Sequence, residues 1–278
     1  MSLEVLRTGL IGQNISRTRL PAALEMMCRE ADMALEFDLI DTAELSEFDL
    51  AACVADCRAA GWAGVSVTHP FKPNAAALFA GPAGQLGAAN LLVFGEQPKA
   101  FNTDYTGFLS AWETLLHGQA PGRVAMAGAG GVARAIGRAL IDLGVSDLVI
   151  WDKAPEKAQA LASELGHPAR AVPATVSATE ITRADGIVNA TNQGMTGYGG
   201  SAFPDSLPAG PKWAFDAVYT PVRTAFLVSA EKAGARVVSG FELFKHMAVQ
   251  QFKILSGRDP GHGILDRLNR LMPVEEPS

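Results

Sequence analysis

The chain has 278 residues, of which 48% are hydrophobic and 19% are charged, and its formal net charge is −6. This balance is typical of a globular protein with a sizeable core, and it excludes an intrinsically disordered chain. The negative net charge gives no electrostatic support for a nucleic-acid partner. We therefore expect the partner to be a small-molecule substrate.

The cysteines and the amino terminus bear on where the protein acts. Cys53 and Cys57 have helical spacing, and with Cys28 they make an odd number, which argues against a disulfide framework. The first residues lack the basic and apolar regions of a signal peptide, and no apolar run has the length of a bilayer span. We expect a cytoplasmic monomer or homodimer with reduced thiols, no bound metal and no membrane partner.

The first part of the chain alternates short β-rich runs with helical patterns. Strands are predicted at Leu6–Ile11, Ala34–Ile40, Gly64–Thr68, Ala89–Phe94 and Lys99–Asn102. Helices are predicted at Leu20–Arg29 and Leu50–Ala60. Such alternation is typical of an α/β sheet with crossover helices.

A second α/β series follows the polar, turn-rich stretch His117–Gly122. Its strands are predicted at Arg123–Ala127, Asp147–Trp151, Gly186–Ala190, Trp213–Val218 and Ala235–Val238. Its helices are predicted at Val132–Leu143, Pro155–Leu165 and Pro221–Ala233. Thr220-Pro221 and Asp259-Pro260 are each typical of an N-cap followed by proline, the second for a last helix toward Leu271. The pattern leaves open which lobe the helices after about Phe241 join.

A glycine-rich turn lies between the first strand and helix of the second series. It has the pattern GxGxxA and consists of Gly128, Ala129, Gly130, Gly131, Val132 and Ala133. A turn of this kind lets a pyrophosphate approach the backbone, and the N–H groups at the start of the helix bind the anion. Many such patterns are only structural turns, but the strand before and the helix after favour dinucleotide binding.

The next strand ends in Asp152, 24 residues after Gly128. An acidic side chain there can accept hydrogen bonds from the ribose hydroxyls of the cofactor and repels a 2′-phosphate. NADP would need a basic neighbour, for which Lys153 is the candidate, although a lysine there is also typical of a solvated loop. The sequence therefore predicts NAD, with NADP as the less favoured cofactor.

Seven stretches, in order, resemble the shikimate dehydrogenases and their quinate-oxidising relatives. They are GLIGQNISRTRLP (Gly9–Pro21), SVTHPFK (Ser66–Lys72), GAAN (Gly87–Asn90), NTDYTGF (Asn102–Phe108), GAGGVARA (Gly128–Ala135), NATNQGM (Asn189–Met195) and DAVYTP (Asp216–Pro221). Each stretch alone is a modest signal, and the seven in order are specific.

The resemblance implies an α/β fold with two domains. A substrate-binding domain would comprise residues 1–107 with 241–278, and a Rossmann-like, doubly wound dinucleotide-binding domain residues 108–240. The carboxyl-terminal helices would return to the first domain, and substrate and nicotinamide would meet between the domains. The resemblance also assigns cofactor contacts to Thr191, Gly194 and Gly240.

Lys72 and Asp104 match the catalytic lysine–aspartate pair of the family. Lysine would act as acid or base on the substrate oxygen, and the aspartate would orient it. By spacing alone, Lys72 reads as a surface lysine at a helix start and Asp104 as an N-cap before Tyr105–Leu116. The surrounding motifs favour the catalytic role.

Other positions match the substrate-binding residues of the family, and at some of them this chain has a different residue. Asn90, Thr68 and Tyr219 match binding positions directly. Where the family carries two hydroxyl residues this chain has Thr18 and Leu20, and Ser66 stands in place of an asparagine. Met247 stands where a glutamine is expected, although a shifted register offers Gln250 or Gln251. One of Arg17, Arg19, Lys245 and His246 is a candidate to bind an anionic group by another geometry, although all four equally suit solvated loop and helix positions.

The sequence therefore predicts a shikimate dehydrogenase-like oxidoreductase acting on shikimate, quinate or a related polyol acid. The altered clamp residues keep an alternative open, namely a dinucleotide-binding regulatory or sensory protein with little turnover.

Overall fold

The structure is a computed structural model that describes residues 3–271, and of Leu271 the backbone only. The described residues form two compact α/β units, one of residues 3–107 and 245–271 and the other of residues 108–244. The two-domain α/β fold predicted from the sequence is thereby confirmed. Residues 1–2 and 272–278, which the sequence assigns to the first domain, lie outside the described residues.

The first unit is built on a five-stranded sheet in the order β2-β1-β3-β4-β5. Its strands are β1 (Glu4–Gly12), β2 (Met33–Asp41), β3 (Gly64–Val67), β4 (Leu91–Val93) and β5 (Lys99–Phe101). Strands β2, β1 and β3 are parallel, whereas β4 runs antiparallel to both β3 and β5. The helices that belong wholly to this unit are α1 (Leu20–Glu30), α2 (Leu50–Ala59), α3 (Lys72–Leu78) and α10 (Ile264–Leu271).

Two helices carry the chain between the units. Helix α4 (Thr103–Leu115) contains the boundary after residue 107, and helix α9 (Gly240–Ser256) contains the boundary after residue 244. The end of the chain then packs on the first unit, where Arg258 donates to the carbonyl of Ala31 at 3.0 Å and Arg267 pairs with Glu30 at 3.2 Å. The predicted return of the carboxyl-terminal helices is confirmed.

The second unit is a six-stranded, wholly parallel sheet in the order β11-β10-β9-β6-β7-β8. Its strands are β6 (Arg123–Ala127), β7 (Asp147–Trp151), β8 (Ala169–Ala171), β9 (Gly186–Asn189), β10 (Trp213–Asp216) and β11 (Arg236–Val238). Its helices are α5 (Gly131–Asp142), α6 (Pro155–Leu165), α7 (Ser177–Thr182) and α8 (Ala225–Lys232). Counted within the unit, this is the Rossmann order, in which the winding direction changes between β6 and β9.

The core of this unit follows from its parallel sheet, because strands covered on both faces must be apolar throughout. All four residues of β9 and of β10 are buried. The ring of Trp213 fills the space over Gly186, where a Cβ would come within 2.0 Å of it, and its Nε1 donates to the carbonyl of Pro121 at 3.2 Å. Gly186 is therefore a packing requirement of the indole.

Two predicted helix starts are wrong. The helix expected from Pro221 begins at Ala225, because Thr224 is the N-cap and its hydroxyl accepts from the backbone N–H of Leu227 at 3.2 Å. The helix expected after Asp259-Pro260 begins only at Ile264. The Asp259 carboxylate instead accepts from the N–H of Gly261 at 2.9 Å, closing a turn before the helix.

Three short elements were missed, namely α3, α7 and β8, since each has seven residues or fewer and too little periodicity to read. Within residues 3–271 no helix has the length and hydropathy of a membrane span. The three cysteines are free, and burial raises the pKa of the Cys57 thiol to about 12 and that of Cys28 to about 11.

Candidate active site

In the first unit, Lys72 and Asp104 form an ion pair. The Nζ of Lys72 lies 2.5 Å from Oδ2 of Asp104, and the two side chains are 17% and 6% exposed. Lys72 is the first residue of α3, and Asp104 lies in the first turn of α4. The structure thus brings together two residues 32 positions apart in the sequence, in surroundings where a charge needs a partner.

Asp104 is held by the capping of its helix. The Asn102 side-chain oxygen accepts from the N–H groups of Asp104 at 3.1 Å and Tyr105 at 3.2 Å, while its Nδ2 donates to the carbonyl of Ala88 at 2.8 Å. Asn102 is therefore the N-cap, and the reading of Asp104 as the cap is wrong. The carboxylate of Asp104 is left to face Lys72.

Asn90 lies between the two helix starts. Its Oδ1 accepts from both the backbone N–H of Thr103, at 2.7 Å, and the hydroxyl of Thr103, at 3.0 Å. Its Nδ2 is buried and donates to no protein atom among the described residues. A buried amide group without a protein partner is where a ligand oxygen is expected.

The remaining predicted substrate residues of this unit differ in their burial and in their contacts. Thr18 lies in the loop before α1, where its hydroxyl accepts from the N–H of Leu20 at 3.4 Å. Leu20 itself is in the core, 3% exposed, so the second hydroxyl position has become a packing residue. Thr68 follows β3 and is half-buried, and Met247 is half-buried on α9.

Ser66 is buried in β3 and donates to Oε1 of Gln251 at 2.9 Å. Gln251 also donates through Nε2 to the hydroxyl of Thr103 at 3.1 Å. The sequence names Gln251 only through a shifted register, because the contact with Ser66 spans 185 residues and has no local signal.

In the second unit, the glycine-rich turn joins β6 to α5. Gly128 has φ +100°, and a Cβ there would lie 2.7 Å from the carbonyl oxygen of Ala190. Gly130 is the N-cap of α5, and a Cβ on it would meet nothing within 4 Å. Gly131 and Val132 form the first turn, and Ala133 is fully buried against the sheet. An open face at Gly130 beside the free N–H groups of a helix start fits a pyrophosphate.

Asp152 follows β7 and faces the same turn. Its Oδ2 accepts from the N–H of Ala129 at 2.9 Å, and its Oδ1 accepts from the N–H of Ala154 at 2.9 Å. The side chain is partly exposed, and neighbouring Lys153 is exposed. The carboxylate therefore lies beside the glycine turn, as the ribose role requires, and it also supports the turn.

The other predicted cofactor residues lie after β9 and at the start of α9. Thr191 donates to Oδ1 of Asn189 at 2.7 Å, and Gly194 has φ +90°. Gly240 passes so close to the backbone after β10 that a Cβ would lie 2.5 Å from the carbonyl of Ala217. Tyr219, predicted as a substrate residue near the nicotinamide, lies in the second unit and stacks on Phe244, with ring centroids 5.5 Å apart.

Asp216 was not predicted as a site residue, although it ends a fully buried strand within the DAVYTP stretch. It accepts hydrogen bonds from the hydroxyl of Thr224 at 2.5 Å, from Nδ2 of Asn189 at 2.9 Å and from the N–H of Val218 at 2.9 Å. Burial raises its pKa to about 6 in spite of these donors. One carboxylate thus joins the loops that follow β9 and β10.

A lysine–aspartate pair that can move a proton and a Rossmann turn that can hold a dinucleotide are the two requirements of an alcohol–ketone oxidoreductase. In the part of the chain that the structure describes, no group of three or more His, Cys, Asp or Glu side chains is placed to hold a metal ion.

Comparison with known families agrees with this class. Residues 10–92 match the shikimate dehydrogenase substrate binding domain, and residues 114–196 match the family described as shikimate / quinate 5-dehydrogenase. The chain belongs to the shikimate/quinate dehydrogenase family and is an NAD(P)-dependent oxidoreductase of that family. Its membership gives no support to the regulatory alternative.

Proteins similar to this chain include some named for NAD(+) and some named for NADP(+). A quinate/shikimate dehydrogenase (NAD(+)) of Corynebacterium efficiens is 35% identical over 94% of this chain and 96% of its own length. A shikimate dehydrogenase (NADP(+)) of Streptomyces avermitilis is 33% identical over 94% of this chain and 93% of its own. The solved quinate dehydrogenase of Corynebacterium glutamicum in complex with NAD superposes with a TM-score of 0.89 at 32% identity, covering 96% of this chain and 98% of that one.

The raised pKa of Asp216 makes stability depend on pH. The folded state binds the proton more tightly than the unfolded chain, so this contribution is full below the ordinary pKa of 3.8 and is lost as pH rises through about 6. Relative to Asp216→Asn, the wild-type free energy of unfolding should fall by about 2–3 kcal/mol between pH 4 and pH 7. Urea unfolding at a series of pH values measures the difference, and parallel pH profiles for the two proteins would contradict it.

Proposed function

We propose that this chain is an NAD-preferring dehydrogenase that interconverts a ring hydroxyl and a ketone of quinate, shikimate or a related polyol acid. The observation that carries the proposal is the largely buried ion pair of Lys72 with Asp104, together with the buried amide donor of Asn90, which has no protein acceptor among the described residues. We assign the polyol acid to the first unit and the dinucleotide to the second. The cytoplasmic location and the monomeric or homodimeric state expected from the sequence stay predictions.

The proton chemistry falls to Lys72. A nicotinamide cofactor held at the glycine turn of the second unit would supply the hydride in one direction and accept it in the other. Lys72, as an ammonium, donates its proton to the oxygen of a ketone, and in the opposite direction the amine takes the proton of a hydroxyl. Asp104 orients Nζ through its contact at 2.5 Å and keeps the charged form paired. The amide of Asn90 binds an oxygen of the same ligand and so helps to place it.

Asp152 supports the preference for NAD. A carboxylate at the end of the second strand of a Rossmann unit accepts from ribose hydroxyls and repels a 2′-phosphate. Lys153, the basic residue that an NADP site would use, is exposed beside it. The quinate/shikimate dehydrogenase of Corynebacterium efficiens, a relative named for NAD(+), supports the same preference.

Turnover with a panel of compounds tests the function directly. Quinate, shikimate and aminated analogues are each incubated with NAD⁺ and with NADP⁺, and reduction is followed at the nicotinamide absorbance. We expect turnover of quinate or shikimate, with a higher kcat/KM for NAD⁺. If no compound is turned over although the dinucleotides bind tightly, the regulatory alternative takes the place of the enzyme.

Replacing the proposed acid–base group should remove chemistry and leave cofactor binding. Lys72→Ala is expected to lower kcat by about 100-fold to 10,000-fold, the usual contribution of a positioned acid or base. Affinity for NAD should stay within about twofold, because the glycine turn is untouched. Lys99→Ala is the matched control, since Lys99 is exposed in the same unit, and it should retain full kcat. A comparable loss of NAD affinity in Lys72→Ala would speak against the role.

The carboxylate of Asp152 contributes both a negative charge and two hydrogen bonds to backbone N–H groups, and two variants distinguish the effect of the charge from that of the hydrogen bonds. Asp152→Asn removes the charge and should narrow the ratio of kcat/KM for NAD⁺ over NADP⁺ by about tenfold. Asp152→Ala also frees the N–H of Ala129, so it should weaken the binding of both dinucleotides further. Glu156→Gln, a change at an exposed acid in the first turn of α6, is the control. An unchanged ratio would place the ribose contact elsewhere.

A further inference from the structure

A chain of buried side chains runs from α9 to Asn90. Gln251 contacts Ser66 on β3 and Thr103 at the start of α4, and Thr103 contacts Asn90. All four side chains belong to the first unit and are at most 3% exposed. Each buried donor in such a series needs an acceptor and each acceptor needs a donor. The direction of one hydrogen bond therefore determines the direction of the next.

The direction follows from one backbone group. The N–H of Thr103 can only donate, so the Asn90 atom 2.7 Å away is the oxygen Oδ1. The hydroxyl of Thr103 lies 3.0 Å from the same oxygen and must therefore donate its hydrogen there as well. The hydroxyl oxygen is then left to accept, and only the amide nitrogen of Gln251, at 3.1 Å, can donate to it.

The same reasoning continues to the far end. With the nitrogen of Gln251 turned to Thr103, its oxygen Oε1 accepts from the hydroxyl of Ser66 at 2.9 Å. At the Asn90 end of the series, Oδ1 accepts both hydrogen bonds from Thr103. Nδ2 of Asn90 is then a buried donor with no acceptor among the described residues. The amide of Asn90 is thereby held with its oxygen accepting from Thr103 and its nitrogen donor left unpaired among the described residues.

We propose that Gln251 is a positioning residue which, with Ser66 and through Thr103, fixes the Asn90 amide so that its subsite takes a substrate hydroxyl oxygen and rejects an ammonium group. The proposal rests on the proposed function and deepens it, because it selects a polyhydroxy acid over its amino analogue at one ring position. An N–H donor faces an oxygen lone pair favourably, and it faces an ammonium, which has only donors, unfavourably.

The pairing of Ser66 with Gln251 gives the residue at position 66 a structural partner from α9. Gln251 contacts both Ser66 on β3 and Thr103 at the start of α4, so its side chain joins the two. Met247, which has no amide to donate or accept, lies one helical turn before Gln251 on α9.

The first test removes a hydrogen bond that positions Asn90 and leaves Asn90 itself unchanged. Gln251→Met keeps the length of the side chain and removes the donor to Thr103. We expect KM for quinate or shikimate to rise about tenfold, the equivalent of one hydrogen bond, with kcat and the affinity for NAD within about twofold. Gln85→Met makes the same side-chain change at an exposed position of the same unit and should stay close to wild type. Equal losses in kcat, substrate KM and NAD affinity would mean a general structural defect and would overturn the proposal.

The second test reverses the polarity of the subsite. Asn90→Asp keeps the oxygen that Thr103 contacts and replaces the donor by an acceptor. The substrates are analogues in which each ring hydroxyl in turn is replaced by an amine or by hydrogen. For one ring position, the wild-type preference for hydroxyl over amine should narrow by at least about tenfold in this variant. For the hydrogen analogue at that position, the difference between wild type and Gln251→Met should vanish.

An unchanged preference at every ring position would overturn the proposal while the proposed function stands. If wild type turns over none of the compounds, the proposed function fails, and calorimetric binding of quinate and shikimate by wild type and the same variants decides the inference. Weaker binding by Gln251→Met with NAD affinity retained supports it. Absence of any polyol acid binding by wild type overturns both.

Discussion

An ammonium group largely removed from water is stable only beside an opposite charge, and in the first unit Lys72 meets that need through Asp104. The start of a helix is an unfavourable place for a cation and a favourable one for a carboxylate. Lys72 begins α3 and Asp104 lies in the first turn of α4, so the carboxylate both neutralises the lysine and suits its own helix.

The loops around this pair are fixed by hydrogen bonds that leave the pair itself free to react. Asn102 caps α4 and holds the carbonyl of Ala88, and the N–H of Ala89 donates to the carbonyl of Lys72 at 2.8 Å. The segment before Asn90 is thus tied to both helix starts. In the second unit, two carboxylates at the ends of separate strands of the sheet, β7 and β10, lie in different environments. Asp152 is partly exposed beside the glycine turn, whereas burial of Asp216 raises its pKa to about 6.

The elements that could be predicted from the sequence are those whose signal is local. Strands β6 and β7 and helix α6 match their predicted bounds, because a continuous apolar run or a clear periodicity ends at a turn residue. The helix starts predicted at Thr220-Pro221 and Asp259-Pro260 were wrong because the same dipeptides also form turns. Lys72 and Asp104 were predicted as a pair from motifs, and the structure brings the two side chains into contact. Gln251 was not assigned, since its partners are set by how α9 returns to the first unit.

The two contacts of Asp152 have a consequence for how cofactor use can change in this scaffold. The carboxylate that would discriminate against a 2′-phosphate also accepts from the N–H of Ala129 within the glycine turn. A single substitution toward a basic residue would therefore leave that backbone group without its partner at the same time as it altered charge. An evolutionary or engineered route toward the phosphorylated cofactor would therefore need a second, compensating change in the turn, so the proposed preference for NAD would be hard to lose one step at a time.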